Sequence, residues 1–213
     1  IVLHREDFGL PADATVFCAF GNYLKNDIDV FTCRMQILRA VPSSVLWLGE
    51  GPNDAARESL RRIAANLDLS PHRLVFAKRV ASKAGHLARH RLADLFLDTF
   101  SFSAATTTTD ALWAGLPVLT RRAATSHGRL SESQLHALGL RELVVPTANA
   151  YVLTAVALSH DKPRLLGLKA RLSKRVQTES LYDAEAMARQ FERLYATVCR
   201  HDFRGNAPES FDL

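Results

Sequence analysis

With 213 residues, 47% of them hydrophobic, the chain is long enough to bury the core of one α/β domain carrying a helical tail. Lys and Arg outnumber Asp and Glu by 27 to 22, a net charge of +5 that favours an anionic ligand, but the charge is scattered and no basic block is interleaved with aromatics, so nucleic acid is not an expected partner. No stretch reaches the roughly 18 apolar residues of a membrane span, and Cys18, Cys33 and Cys199 lie far apart with no Cys/His spacing for zinc or redox chemistry.

The sparse, odd cysteine count fits a reducing compartment, so the expected location is cytoplasmic, with no membrane partner. The chain begins at Ile1 rather than Met, which reads as part of a longer polypeptide. Leu10-Pro11-Ala12-Asp13 forms a turn, and an apolar first strand follows over 14–20. A polar loop, 21–27, leads to a helix over 30–40 that Asp27 or Asp29 can cap, with Phe31, Met35 and Leu38 on one face. Pro42-Ser43-Ser44 breaks this helix, and Val45-Leu46-Trp47-Leu48 reads as a second buried strand. An amphipathic helix over 54–67 turns Leu60, Ile63, Ala64 and Leu67 inward. A third strand covers 73–76. The loop 77–85 then opens a short helix over 86–91.

The most informative stretch comes next. Leu95-Phe96-Leu97 is a short apolar run bounded by aspartates, as a buried parallel strand should be. Thr106-Thr107-Thr108-Thr109-Asp110 crowds the following helix start, and Gly115 and Pro117 end that helix and launch a fifth strand at Val118-Leu119. The threonines and Asp110 read either as ordinary helix caps or as an anion site at the tip of a strand. A helix over 130–138 ends at Gly139, and 143–145 is a last short strand. Helices alone follow, over 148–159, 164–176 and 183–200, split by Pro163 and by 178–180. The tail, 203–213, is expected to be disordered.

Alternating strands and helices specify a doubly wound parallel sheet with right-handed crossovers. The expected organisation is a Rossmann-like domain over 1–146, with C-terminal helices packing on it over 147–202. Ligands of such sheets bind beyond the carboxyl ends of the strands. Four loops converge there: 21–27, 77–86, 101–110 and 121–129. No G-x-G-x-x-G and no G-x-x-x-x-G-K-[ST] occurs, which argues against a dinucleotide dehydrogenase and a P-loop enzyme. Lys25 can neutralise a phosphate or be a solvated loop lysine. His86 can stack on or hydrogen-bond a base, with Arg89 beside it, or be a surface histidine. Asp27-Ile28-Asp29 matches the D-x-D of metal-dependent glycosyltransferases, but it precedes a helix, so capping is the better reading. No metal cluster, Ser/His/Asp set or paired-carboxylate spacing stands out.

Several runs resemble the C-terminal half of the protein O-linked N-acetylglucosamine transferase family, which includes the SPINDLY-type O-fucosyltransferases. They are Arg5-Glu6-Asp7-Phe8-Gly9-Leu10-Pro11, Phe17-Cys18-Ala19-Phe20-Gly21-Asn22-Tyr23-Leu24-Lys25, Val41-Pro42-Ser43-Ser44-Val45-Leu46-Trp47-Leu48, and Thr106-Thr107 with Asp110-Ala111-Leu112-Trp113-Ala114-Gly115-Leu116-Pro117-Val118-Leu119-Thr120. They keep the family's order and near-constant spacing from about Arg5 to Tyr195. The resemblance implies a GT-B fold of two Rossmann-like domains, of which this chain is the C-terminal, nucleotide-binding one. It implies a donor, UDP-N-acetylglucosamine (UDP-GlcNAc), an acceptor protein or peptide, and no metal.

By position, the resemblance puts Lys25 on the donor diphosphate as the catalytic group that stabilises the leaving group, with Asn22 beside it. Ala81, through its backbone, and Lys83 would hold the base. His86 would pack on the nucleoside near Arg89. Thr106 and Thr107 would bind the diphosphate and Asp110 the ribose. Two positions depart from the pattern: Gly21 stands where the family usually has Asn, and Ala105 where it usually has His. The family's acceptor cleft, further catalytic histidines and tetratricopeptide repeats belong to an N-terminal half. This half of the polypeptide is therefore an expected partner, and the chain alone should not complete a transfer. The alternatives are another donor on the same fold, GDP-fucose or UDP-glucose, and a non-catalytic binding or scaffold domain.

Overall fold

The computed structural model describes residues 2–205 and 207. Six strands form one parallel sheet: β1 (Thr15–Ala19), β2 (Ser44–Gly49), β3 (Leu74–Ala77), β4 (Leu95–Leu97), β5 (Val118–Arg121) and β6 (Val144–Val145). Their spatial order is β3-β2-β1-β4-β5-β6. The strands are short and apolar because helices cover both faces of a parallel sheet, which leaves no face for polar residues to alternate onto. Phe17, Cys18, Leu46, Trp47, Phe96 and Leu97 are accordingly buried.

The connecting helices are α1 (Ile28–Ala40), α2 (Asp54–Asn66), α3 (Lys83–His90), α4 (Thr106–Trp113) and α5 (Leu130–Ala137), followed by α6 (Ala148–His160), α7 (Lys162–Thr178) and α8 (Ala184–Phe203). Right-handed crossovers run outward from β1 to β3 and, in the opposite direction, from β4 to β6. This reversal sends α1 and α2 to one face and α4 and α5 to the other. Asp27 caps α1 by accepting from the Val30 N–H at 2.9 Å, and Asn53 caps α2 by accepting from Ala56 at 2.9 Å. Gly115 (φ +83°) and Gly139 (φ +63°) end α4 and α5 in the left-handed conformation that favours glycine.

Three local expectations need correction. The third helix starts at Lys83, not His86, because Ser82 caps it by accepting from the Gly85 N–H at 3.1 Å. The threonines do not cap α4: its N-cap is Ala105, with no side-chain cap at all. Pro163 does not separate two helices but sits within the first turn of α7, where its missing N–H costs nothing.

Tyr151, Ala155 and Leu158 of α6 and Leu168 and Leu172 of α7 join the same core as the sheet. Of the C-terminal helices expected to pack on the sheet, α8 contributes no buried residue. Its Met187, Phe191, Tyr195 and Val198 form an exposed apolar stripe. The tail expected to be disordered begins inside α8, which runs to Phe203; beyond Gly205 only residue 207 belongs to the described residues.

Candidate functional site

The strand order reverses between β1 and β4, and at that switch point the loops leaving the two carboxyl ends diverge and leave a crevice. After β1 the chain makes one tight turn, Tyr23–Lys25, which Asn22 caps by accepting from the Leu24 N–H at 3.0 Å. Asn22 is exposed and Lys25 half-buried. The Lys25 Nζ donates to the Ser103 carbonyl at 2.8 Å and lies 4.1 Å from the Phe102 ring centre. Burial pulls its pKa below the ordinary lysine value, with Asp98 acting in the opposite direction.

Asp98, the residue after β4, is fully buried. Its carboxylate accepts from the Ala104 N–H and from the Thr120 hydroxyl, both at 2.7 Å. Burial raises its pKa, and the Thr120, Ser131, Ala104 and Thr99 donors oppose the rise. The carboxylate thus shapes the whole 98–105 loop that meets Lys25. At the end of this loop Ala105 adopts φ +49° and ψ −106°, a region essentially reserved for glycine. The turn delivers Thr106 and Thr107 to the first turn of α4, where the Thr107 N–H donates to the Ala104 carbonyl at 3.1 Å. Thr106 is exposed and Thr107 half-buried.

A second group forms where the N-terminal part of α3 meets α4. The Lys83 Nζ lies 2.5 Å from Asp110 Oδ1, and His86 Nε2 lies 3.3 Å from Asp110 Oδ2. Arg89 Nη2 is 2.8 Å from His86 Nδ1. A guanidinium only donates, so Nδ1 accepts and the His86 proton sits on Nε2, facing the carboxylate. Burial, then Arg89, holds the His86 pKa below its ordinary value, and Asp110 pulls against them. Arg89 also donates to the Lys78 carbonyl at 2.9 Å and stacks 4.2 Å over Phe20. Ala81 lies in the exposed bend before Ser82.

The structure therefore brings Lys83, His86, Arg89 and Asp110 into direct contact. Lys25 and Asn22 form a separate group across the crevice, joined to the start of α4 through the 98–105 loop. A cleft of about 660 Å³ adjoins them over β1 to β3; Asn22 and Arg89 line it with Phe20, Gly21, Glu50 and Arg79, whereas Lys25, Ala81, Lys83, His86, Thr106, Thr107 and Asp110 do not. Such a volume suits a small organic ligand. Sequence reasoning missed Asp98, Ser103 and Phe102. The available signal was Asp98 itself, a carboxylate directly after an apolar strand at a binding edge. Among the described residues no group of three or more His, Cys, Asp or Glu is placed to hold a metal ion, and no helix is long and apolar enough to cross a membrane.

Residues 1–191 match the model of glycosyl transferase family 41. The UDP-N-acetylglucosamine–peptide N-acetylglucosaminyltransferase of Caenorhabditis elegans is 36% identical over 194 residues, covering 91% of this chain and 17% of that protein. The probable UDP-N-acetylglucosamine–peptide N-acetylglucosaminyltransferase SEC of Arabidopsis thaliana is 34% identical over 210 residues, 98% of this chain and 21% of that protein. The chain thus spans about a fifth of the length of these curated relatives. A mutant O-GlcNAc transferase of Thermobaculum terrenum superposes with a TM-score of 0.80 at 27% identity, over 87% of this chain and 38% of that one. The chain belongs to glycosyl transferase family 41, and its six-stranded sheet with flanking helices is a Rossmann-like domain of the GT-B fold.

Proposed function

We propose that this chain is the donor-binding half of an inverting glycosyltransferase that moves N-acetylglucosamine from UDP-GlcNAc to Ser or Thr of proteins. The observation that carries the reading is the pairing of two groups across the switch point: Lys25 on one side, and Lys83 and His86 of α3 with Asp110 of α4 on the other. The acceptor hydroxyl oxygen attacks the anomeric carbon as the bond from that carbon to the diphosphate oxygen breaks. The hydroxyl proton passes to a base supplied by the N-terminal half of the polypeptide, and negative charge develops on the departing UDP. Lys25 and the N-terminal end of α4, with Thr106 and Thr107, stabilise that charge, a contribution that often dominates catalysis. They take the place that a divalent metal fills in other transferases.

In this reading Asp110 binds the ribose, Lys83 and the Ala81 backbone hold the base, and His86 packs on the nucleoside with Arg89 behind it. Asn22 flanks the diphosphate. Asp110 is engaged by Lys83 and His86, and Lys25 by the Ser103 carbonyl. Donor binding exchanges these contacts for ribose hydroxyls and phosphate oxygens. The cleft for the acceptor protein and the tetratricopeptide repeats belong to the N-terminal half of the polypeptide in this reading, and a cytoplasmic setting fits the three unpaired cysteines.

Calorimetry with UDP tests the site. Lys25→Ala and Asp110→Asn are each expected to weaken binding at least about tenfold, or about 1.4 kcal/mol. Binding that neither change weakens removes the assignment. A panel of UDP-GlcNAc, UDP-glucose and GDP-fucose then fixes the donor. A non-catalytic scaffold role is the second reading, favoured by the lack of a polar side chain at Ala105. Ala105→His should raise UDP affinity under the first reading and change nothing where no nucleotide binds.

A further inference from the structure

We propose that Arg34 is a positioning residue that clamps the Lys25 turn to the end of β4 and so fixes where the Lys25 ammonium points. Arg34 lies on α1, is 1% exposed, and among the described residues has no carboxylate within ion-pair distance. Burying a guanidinium without a direct counter-charge is costly, so its geometry carries information. One nitrogen, Nη1, donates to the side-chain oxygen of Asn26. The other, Nη2, donates to the Leu97 carbonyl at 2.8 Å. Asn26 immediately follows Lys25, and its own N–H closes the turn on the Tyr23 carbonyl at 3.0 Å. Leu97 is the last residue of β4.

These contacts close a ring. From Leu97 the chain enters Asp98, whose carboxylate shapes the following loop, and that loop presents the Ser103 carbonyl that receives the Lys25 Nζ. From Asn26 the chain steps back to Lys25. Arg34 joins the end of the Lys25 turn to the end of β4 through a single rigid fork, which the point charge of a lysine does not reproduce. Tyr151 braces the same loop from α6: its hydroxyl donates to the Asp98 carbonyl at 2.9 Å. Arg34 lines none of the cleft and acts only through Asn26 and Lys25. That Lys25 serves a diphosphate rests on the function proposed above; the clamp itself does not.

The test reads Lys25 directly, by 13C NMR titration of the lysine-labelled chain, with the Lys25 signal identified by its loss in Lys25→Ala. In the unmodified chain Lys25 is expected to titrate below the ordinary lysine value. Asn26→Ala and Arg34→Met should each return it to the ordinary lysine range, a change that loosened packing elsewhere does not produce. Each should also weaken UDP binding about tenfold, and neither should weaken it further when combined with Lys25→Ala. An unchanged Lys25 titration in folded Asn26→Ala overturns the clamp; this variant decides the matter if Arg34→Met does not fold. So does a tenfold loss that adds in full to that of Lys25→Ala. If the titration moves as expected but the unmodified chain binds no UDP, the clamp stands and the donor reading fails.

Discussion

Single residues set the protonation of the site. His86 is held neutral by a donor on one side and an acceptor on the other: Arg89 occupies Nδ1, so a second proton there would point at a guanidinium, and Asp110 receives the Nε2 proton. His90, one helical turn further on, is fully buried and donates from Nδ1 to the His86 carbonyl at 2.8 Å. Burial pushes its pKa down to about 4. Between that value and the ordinary 6.5 the unfolded chain binds the proton and the folded one does not, so stability falls as pH drops through this window. The loss expected from His90 alone is about 3 kcal/mol by pH 4. Urea unfolding of His90→Gln followed from pH 7 to pH 4 should show a visibly flatter decline than the unmodified chain. Residue identity made Lys25, His86 and Asp110 legible as candidates, because each brings charge or a ring to the carboxyl edge of the sheet, whereas Lys83 was reached only through the family resemblance. Arg34 was not legible, since an arginine inside an amphipathic helix reads as an outward charge until the sheet shows what lies over it.

At the scale of elements, the start of α4 departs most from what its sequence suggests. Four threonines in a row look like caps, yet a cap must precede the first helical residue, and that place belongs to Ala105. The threonine hydroxyls turn elsewhere: Thr108 to the Ser131 hydroxyl at 2.7 Å and Thr109 to the Ala105 carbonyl at 3.2 Å. Ala105 holds its left-handed conformation because Asp98 pins the preceding Ala104 N–H. Ala105→Gly should therefore stabilise the fold by about 1 kcal/mol, the strain relieved exceeding the added freedom of the unfolded chain, measurable as a higher denaturant midpoint. Asp98→Ala acts in the opposite direction. It strands the Ala104 N–H and the Thr120 hydroxyl, both buried, and should cost about 3 kcal/mol in the same measurement. Strand positions were legible because short apolar runs between turn residues have few alternatives. The α3 boundary was not, because its cap is a lone serine among basic and apolar loop residues, and Gly85 in the first turn reads as more loop.

For the whole molecule, the alternation of strands and helices predicted a doubly wound parallel sheet, and the sheet is one. Strand order is a different matter: no local pattern says that β4 lies beside β1 rather than beside β3, because that choice depends on which apolar edges remain uncovered. The helical tail was legible as helix but not as packing. The α8 stripe repeats at helical spacing, yet the rest of the chain leaves it exposed. Ending the chain after Tyr182 should accordingly shift the thermal midpoint of the α/β body by less than about 3 °C, whereas Tyr151→Phe, which removes one buried hydroxyl from the core, should cost about 1 kcal/mol.

The β1–β4 seam also bears on the order of events in folding. Every other pairing in the sheet joins strands consecutive in sequence, and this one alone skips two. The contacts across it, Lys25 to Ser103 and Arg34 to Leu97, link residues 78 and 63 positions apart. Such long-range closures carry the largest loop entropy and form late. Each three-strand half can assemble on local contacts while the crevice between them does not yet exist. In refolding experiments, UDP binding should therefore recover after the far-UV circular dichroism signal, and the nucleotide would recognise only chains whose two halves have already met.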